Sequence, residues 1–318
     1  MASILTNASA MTALQTLTVT NKNLATTQNR IATGLKIGEA SDNAAYWSIA
    51  TTMRSDNGAN SVIQDALGLG SAKIDTAYSA MNKAIDSVNT IKQLVLASKN
   101  ASAEDRAKNQ LLINSAIGAL KENAGASYAG SNLLSTDQAA DAAPATANFS
   151  TIASYARDST GKVTTGSIDV ALANTRLIDL GGATPAAKTG ILDKQFAVTN
   201  AATAPVTTQV SILTIDVSAA GIDNKALDDI LTGVEAASKG LASGASQLGA
   251  AKTRIASQTS FISALSDAVD RGIGTLVDAD MNKESARLSA LQVQQQLGVQ
   301  ALSIANASNQ SIQQLFRG

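Results

Sequence analysis

Few residues in this chain are suited to chemistry, and their spacing favours none of the usual reactions. The 318 residues include neither histidine nor cysteine. A Ser-His-Asp triad, a thiolate nucleophile, a disulfide and a zinc site with the usual nitrogen and sulfur ligands are therefore excluded. Carboxylates and lysines remain. We assign no catalytic, cofactor-binding or metal-ligating residue, and we predict that the protein is not an enzyme.

The remaining candidates have simpler structural explanations. The Asp228–Asp229 pair opens a predicted helix, where negative charge stabilises the helix dipole. Asp278–Asp280 lacks the third ligand and turn glycine of a calcium loop, so we expect a helix junction there. The glycine pairs at 68–70 and 272–274 lie inside helical patterns rather than after a strand, unlike phosphate-binding loops. Trp47, the only tryptophan, is predicted to anchor a bend that glycines mark.

Charge and hydropathy limit the classes of partner. Lys and Arg number 24 against 25 Asp and Glu, with the signs interspersed, so nothing resembles the basic surface of a nucleic-acid-binding protein. Residues 1–7 lack the charged and apolar regions of a cleavable signal peptide. No stretch approaches the ~18 apolar residues of a membrane span. We predict neither nucleic acid binding nor membrane insertion, and a chain that is soluble or exported without such a signal.

The two ends of the chain resemble each other. From 10 to 35 and from 288 to 315 the sequence is nearly uncharged, and its apolar residues recur at helical spacing. Ala10, Leu17, Leu24 and Ile31 follow a seven-residue repeat, and Asn21 interrupts the companion row that holds Leu14 and Leu35. Such thin stripes favour burial against partner subunits. The predicted assembly interface comprises Leu14, Leu17, Leu24, Ile31, Leu35, Leu297, Ala301, Ile304 and Leu315.

The segments between the ends predict longer helices and a small β-rich insertion. Helices are expected from Ala44 to about Met53, from Gly58 to about Lys99 and from Ser102 to about Ala124. A long helix is expected from Asp223, with apolar residues on an unbroken seven-residue repeat. That repeat comprises Val234, Leu241, Leu248, Ile255, Ile262, Val269 and Leu276. Alternating apolar residues at 168–172 and 210–217 predict strands.

These patterns predict a mainly α fold with a small β-rich insertion and long coiled-coil helices from both termini. Three domains are expected. Residues 1–40 and 278–318 form a terminal coiled-coil domain, residues 41–130 and 218–277 form a helical rod, and residues 131–217 form an outer β-rich module. All three prolines fall in this last segment.

Two recognisable motifs occur near the ends of the chain. The N-terminal pattern is Ile31-Ala-Thr-Gly-Leu-Lys-Ile-Gly38 followed by Ala40-Ser-Asp-Asn-Ala-Ala45. The C-terminal pattern includes Leu248-Gly-Ala-Ala-Lys-Thr-Arg-Ile255, Val277-Asp-Ala-Asp280 and Gln292-Val-Gln-Gln-Gln-Leu-Gly-Val-Gln-Ala301. With these motifs the chain resembles bacterial flagellin over roughly residues 1–130 and 222–318. The stretch from Tyr46 to Arg54 is similar to the alphaproteobacterial branch of that family.

The resemblance implies a structural subunit of the extracellular flagellar filament. Its terminal segments would form the inner tube, and it would leave the cell unfolded through the flagellar type III route. The implied partners are further copies of the chain, related flagellins, an export chaperone and the filament cap. A hook–filament junction protein remains an alternative, as does a surface adhesin that binds glycans. The adhesin hypothesis has only Phe149, Tyr155 and Phe196 for sugar stacking.

The resemblance also predicts weak or absent recognition by the animal innate immune receptor for flagellin. Recognised flagellins carry an Arg-x-Arg-Glu-Leu-Ala-Val-Gln run, and the matching stretch here is Thr90-Ile-Lys-Gln-Leu-Val-Leu-Ala97. Leu94 is retained, but the leading arginine, a typical interface hot spot, and the acidic residue are replaced. Receptor activation by the purified monomer measures this, and a response near that of a strong agonist would contradict it.

Overall fold

The computed structural model describes residues 7–138, 148–158, 160–181, 184–202 and 204–315, without the side chains from 308 onward. Five long helices dominate it, and short strands lie between the third and fourth helix, so the predicted mainly α fold with a small β-rich insertion is confirmed. The helices are α1 (Ala8–Thr33), α2 (Ala44–Ala97), α3 (Ala103–Ala124), α4 (Asn224–Val277) and α5 (Met281–Leu315). The strands are β1 (Ser135–Thr136), β2 (Asn148–Arg157), β3 (Val163–Ala171), β4 (Ile178–Asp179), β5 (Phe196–Thr199) and β6 (Thr207–Val210).

The chain divides into two compact units. One comprises Met1–Gly58 with Leu265–Gly318, and the other comprises Ala59–Ala264. The three-domain division expected from the sequence stays a prediction.

Helix α1 has defined ends. Asn7 precedes it, and the Asn7 side chain accepts a hydrogen bond from the Ala10 N–H at 2.9 Å, which satisfies one of the free amides of the first turn. At the other end Gly34 adopts a left-handed φ of 73°, which a residue without Cβ reaches at little cost. Gly34 therefore caps the C-terminal end of α1.

Helix α2 is longer than the sequence predicted. The break expected at Asn57–Gly58 is wrong, because one helix of 54 residues runs through both positions. Glycine inside a helix costs about 1 kcal/mol relative to alanine, and Asn57 compensates by side-chain hydrogen bonds with Ser266 and Asp270 of α4. Tertiary contacts with α4 therefore outweigh the weak local propensity.

In the Ala59–Ala264 unit, α2 and α4 run antiparallel. Three ion pairs show the direction, two from α2 and one from Lys99 just after it. As the sequence position of one partner rises, that of its partner on α4 falls. They are Lys99–Asp228 at 2.6 Å, Lys92–Glu235 at 2.5 Å and Asp75–Lys252 at 2.8 Å. All three are solvent-exposed and so contribute little stability.

The core of this unit consists of the heptad rows of α2 and α4 with the inner face of α3. The predicted α4 row is buried throughout the unit, from Val234 to Ile262, with exposed fractions of 2% or less. Ile113, Ile117 and Leu120 of α3 join it. Helix α3 also begins as expected, because the Ser102 hydroxyl accepts from the Asp105 N–H at 3.2 Å. Burial of aliphatic side chains is thus the main stabilising force of the unit.

The β-rich segment is built from paired short strands. Strands β2 and β3 form an antiparallel hairpin with a register shift between Ile152 and Ser154. The strand predicted at 168–172 forms as the end of β3, except that Leu172 is already helical. Strands β5 and β6 are also antiparallel, whereas β1 and β4 are parallel. One helical turn, Leu172–Thr175, follows β3.

The strand predicted across 210–217 is wrong beyond Val210. A 3-10 turn forms at Ile212–Thr214. It is stabilised by reciprocal hydrogen bonds, in which the side chain of Ser211 bonds to the backbone of Thr214 and the side chain of Thr214 bonds to the backbone of Ser211. Gln110 of α3 then takes the place of a strand partner. Its amide donates to the Ile215 carbonyl at 2.9 Å and accepts from the Val217 N–H at 2.8 Å. The apolar alternation therefore reports burial in the core rather than strand pairing.

Among the residues that the structure describes, no helix combines the length and the hydropathy needed to cross a membrane.

Two glycines of α2 provide a matched test of how closely the hairpin packs. A Cβ at Gly70 would lie 2.8 Å from Oγ1 and 3.0 Å from Cβ of Thr151, whereas a Cβ at Gly68 would meet nothing within 4 Å. Gly68→Ala is expected to raise the free energy of unfolding by about 0.5–1 kcal/mol. Gly70→Ala is expected to lower it by about 1–3 kcal/mol through overpacking. Denaturant unfolding of the monomer compares the two, and equal effects would contradict the packing argument.

Candidate assembly interface

Helices α1 and α5 pack as an antiparallel pair within the Met1–Gly58 and Leu265–Gly318 unit. Asn7 donates a side-chain hydrogen bond to the Ala305 carbonyl at 3.0 Å. Gln295 donates to the Asn21 side chain at 2.8 Å, and Arg30 contacts Glu284 at 3.3 Å. Contacts therefore run from the start of α1 to its last turn, and the two ends of the sequence meet.

The seam between the two helices is thin and rich in small or polar residues. Thr20 and Thr27 are buried on α1, with exposed fractions of 7% and 2%. Gly298 of α5 permits a close approach, since a Cβ there would lie 3.1 Å from Cδ1 of Leu17. The other seam residues, half-buried or buried, are Ala10, Ala13, Leu17, Leu24 and Ile31 on α1 and Glu284, Leu288, Leu291, Gln295, Leu302 and Ala305 on α5. Because small and polar residues outnumber the large apolar ones, the pair has little stability of its own.

One row of the predicted heptad is corrected. The sequence placed Leu14, Asn21 and Leu35 on the row beside Leu17 and Leu24, but Asn21 and Leu14 are exposed. The row that faces α5 instead contains Ala13, Thr20 and Thr27. A row displaced by three residues from Leu17 and a row displaced by four residues both fit a seven-residue repeat. Only the position of α5 shows which of the two rows is buried.

The predicted interface residues divide into two groups. Leu17, Leu24 and Ile31 are half-buried in the α1–α5 seam, and Leu35 packs at the junction between α1 and α2. Leu14, Leu297 and Ile304 are exposed by 55%, 57% and 70%, and Ala301 is also exposed. The side chain of Leu315 lies outside the described residues. Whether these residues contact neighbouring subunits stays a prediction.

The exposed apolar side chains form what we call the outward faces of α1 and α5. On α1 the face contains Met11, Leu14 and Val19, which line a shallow depression of ≈ 580 Å³ on the side away from the seam. On α5, Val293, Leu297, Ala301 and Ile304 follow one another at spacings of four, four and three, and so share a side of the helix. Sequence reasoning missed Met11, Val19 and Val293. The spacing of Met11 to Leu14 and of Val293 to Leu297 signalled two of them.

The two helix connections in this unit are hydrogen-bonded to each other. The Val277 carbonyl accepts from the N–H groups of Lys36 and Ile37 at 2.7 and 3.2 Å, and the Ala279 N–H donates to the Gly34 carbonyl at 2.9 Å. This pairing fixes where α1 and α5 begin to run together.

A small apolar cluster surrounds these connections. Ile37, Ala50, Ile273 and Val277 are buried, and Trp47 packs against them, so the predicted anchoring role of the tryptophan is confirmed. In the loop before α2, the Gly38 and Glu39 N–H groups donate to the Asp42 carboxylate, and these bonds lower the pKa of Asp42.

Within the described part of the chain, no group of three or more acidic, histidine or cysteine side chains is arranged to hold a metal ion.

Comparisons with known proteins match both ends of the chain to one family. Residues 4–139 match the bacterial flagellin N-terminal helical region, and residues 231–316 match the bacterial flagellin C-terminal helical region. A flagellin of Brucella melitensis is 51% identical over 319 residues, with 100% of both chains covered. Flagellin C and Flagellin A of Rhizobium meliloti strain 1021 are 43% and 38% identical, again over 100% of each chain.

Proposed function

The chain belongs to the bacterial flagellin family, and we propose that it assembles by burying the outward faces of α1 and α5 against neighbouring copies. It is a structural subunit of the flagellar filament, an extracellular structure used for motility.

The observation that carries the proposal is the exposure of large apolar side chains on both terminal helices. Met11, Leu14, Val19, Val293, Leu297 and Ile304 are each more than half exposed in the single chain. Full burial of one such side chain in an interface contributes roughly 1.5–3 kcal/mol to the free energy of association. Six per subunit supply on the order of 10 kcal/mol, enough to offset much of the entropy lost on association.

The weakness of the α1–α5 seam supports coupled folding and assembly. A helix of 26 residues that is rich in threonine, such as α1, has little stability in isolation. In the seam, Thr20, Thr27 and Gly298 occupy positions at which a stable coiled coil would have leucine or isoleucine. The terminal helices would then order only when neighbouring subunits cover their outward faces. A chain without cysteine also passes unfolded through an export channel without cross-linking.

The predicted domain roles follow from the same division. Residues 1–40 with 278–318 would form the inner tube of the filament. This part includes the seam residues Leu17, Leu24 and Ile31, the junction residue Leu35, the outward residues Leu14, Leu297, Ala301 and Ile304, and also Leu315. Residues 41–130 with 218–277 would form the surrounding rod, and residues 131–217 the outer module. We propose an export chaperone, the filament cap and related flagellins as further partners, a purely structural role without catalysis, and weak recognition by the innate immune receptor.

The filament subunit is favoured over the alternatives. Flagellins that match the chain over its whole length argue against a junction protein. Sugar stacking by the outer module is disfavoured because Phe149 and Phe196 are half-buried. Lys73 lies over the Phe149 ring at 5.9 Å, and the Phe196 ring packs against Gly233 of α4.

Truncation tests the role of the two ends. Removal of residues 1–35 or of residues 290–318 is expected to leave a folded helical protein that no longer polymerises, because the core of the Ala59–Ala264 unit stays intact. Circular dichroism measures the folding, and electron microscopy of seeded samples measures the assembly. Filaments formed by either truncated protein would contradict the assignment.

A single charge on the outward face tests the contact residues. Leu297→Asp is expected to abolish polymerisation, because burying an unpaired carboxylate costs several kcal/mol. Ser303→Asp is the matched control, since Ser303 is exposed on the same helix but lies about 120° around it from Leu297. We expect this control to polymerise. Equal assembly of both variants in a sedimentation assay would show that this face is not covered.

A further inference from the structure

The most deeply buried charged contact between the terminal helices joins Arg30 to Glu284. Nη1 of Arg30 lies 3.3 Å from Oε1 of Glu284, and the two side chains are only 27% and 9% exposed. Among the residues that the structure describes, no other ion pair joins α1 to α5. This pair therefore stands out in two helices that are nearly uncharged.

The pair is poorly suited to stabilising the fold. The second carboxylate oxygen of Glu284 is buried and has no hydrogen-bond partner among the described residues. Removing charges from water is costly, and attraction within the pair offsets that cost only when the remaining hydrogen bonds are satisfied. Separating a buried pair, in contrast, leaves an uncompensated charge and is strongly unfavourable. Such a pair discriminates between arrangements better than it stabilises any one of them.

The apolar repeat of the seam does not by itself fix the register of the two helices. Ala10, Leu17, Leu24 and Ile31 repeat every seven residues, as do Thr20 and Thr27. A slip of one heptad, about 10 Å along the axis, would place similar side chains against α5. The Asn21–Gln295 hydrogen bond is exposed, so its groups can exchange it for water. A slip would also break the Asn7–Ala305 hydrogen bond and the hydrogen bonds of the helix connections. Arg30 and Glu284, however, are the charged side chains that would lose their partner while buried.

We propose that the Arg30–Glu284 pair selects the antiparallel register of α1 against α5 and so aligns their outward faces for assembly. Both are positioning residues, because they act through the placement of the apolar side chains. The link to polymerisation rests on the proposed function, whereas the register itself does not.

The absence of cysteine allows the register to be measured by disulfide trapping. An ideal Cβ at Gly298 lies 4.0 Å from Cβ of Leu17, within the range of a disulfide. The double variant Leu17→Cys and Gly298→Cys therefore reports the native register. Leu24→Cys with Gly298→Cys reports a one-heptad slip, since Leu24 lies about 10 Å further along α1. Oxidation of the full chain under polymerising conditions, followed by non-reducing electrophoresis, separates intrachain from interchain bonds.

With the pair intact, the native disulfide should form and the slipped one should not. Glu284→Gln is expected to lower the ratio of native to slipped disulfide by about tenfold or more, because the buried Arg30 loses its counter-charge. Arg30→Lys keeps the charge and is expected to retain the native disulfide, whereas Arg30→Met is expected to lose it. Glu235→Gln is the control. It removes one partner of the exposed Lys92–Glu235 pair and should change neither disulfide.

Each outcome has a stated meaning. A native disulfide that persists in both Glu284→Gln and Arg30→Met would overturn the proposal, whether or not filaments form. Loss of both disulfides would overturn it as well, because the pair would then be needed for pairing rather than for register. A slipped disulfide together with loss of filaments supports both proposals. A slipped disulfide in normal filaments would leave the register inference standing and would refute assembly through the outward faces.

Discussion

Everything in this molecule depends on antiparallel packing between helices that lie far apart in the sequence. In the Ala59–Ala264 unit, α2 and α4 bury a continuous row of aliphatic side chains, from Ile63 to Val95 on one helix and from Val234 to Ile262 on the other. Because this row repeats every seven residues, the helices stay in contact along their length. The β-rich segment is an insertion between α3 and α4, and its apolar residues join the same core.

The same geometry is used more weakly by the terminal helices. The α1–α5 seam follows the heptad repeat, but threonine, alanine and glycine occupy many of its positions. The large apolar side chains of these helices are divided between the seam and the outward faces. This division lets one pair of helices serve two contacts, one within the chain and one, we propose, between subunits. A strong seam would make the terminal helices stable before assembly, which an exported subunit does not need.

Sequence reasoning recovered most of the fold and part of the candidate interface. The bounds of α3, the α4 heptad and most of the strand predicted at 168–172 followed from local signals such as capping and periodicity. Two errors share one cause. The expected break at Asn57–Gly58 and the expected strand at 210–217 relied on local preferences. Hydrogen bonds with the distant side chains of Asp270 and Gln110 instead stabilise the observed backbone.

The sequence alone determined that the ends are helical, nearly uncharged and too thin in apolar residues to be buried alone. It also excluded chemistry that needs histidine or cysteine. Only the tertiary structure decided which side of each helix faces the chain's own partner. Leu17 and Leu14 fit the same heptad equally well, yet one lies in the seam and the other faces outward. A seven-residue repeat defines an apolar stripe along a helix, but it does not say which other helix packs on that stripe. Contacts between residues nearly 300 positions apart decide this.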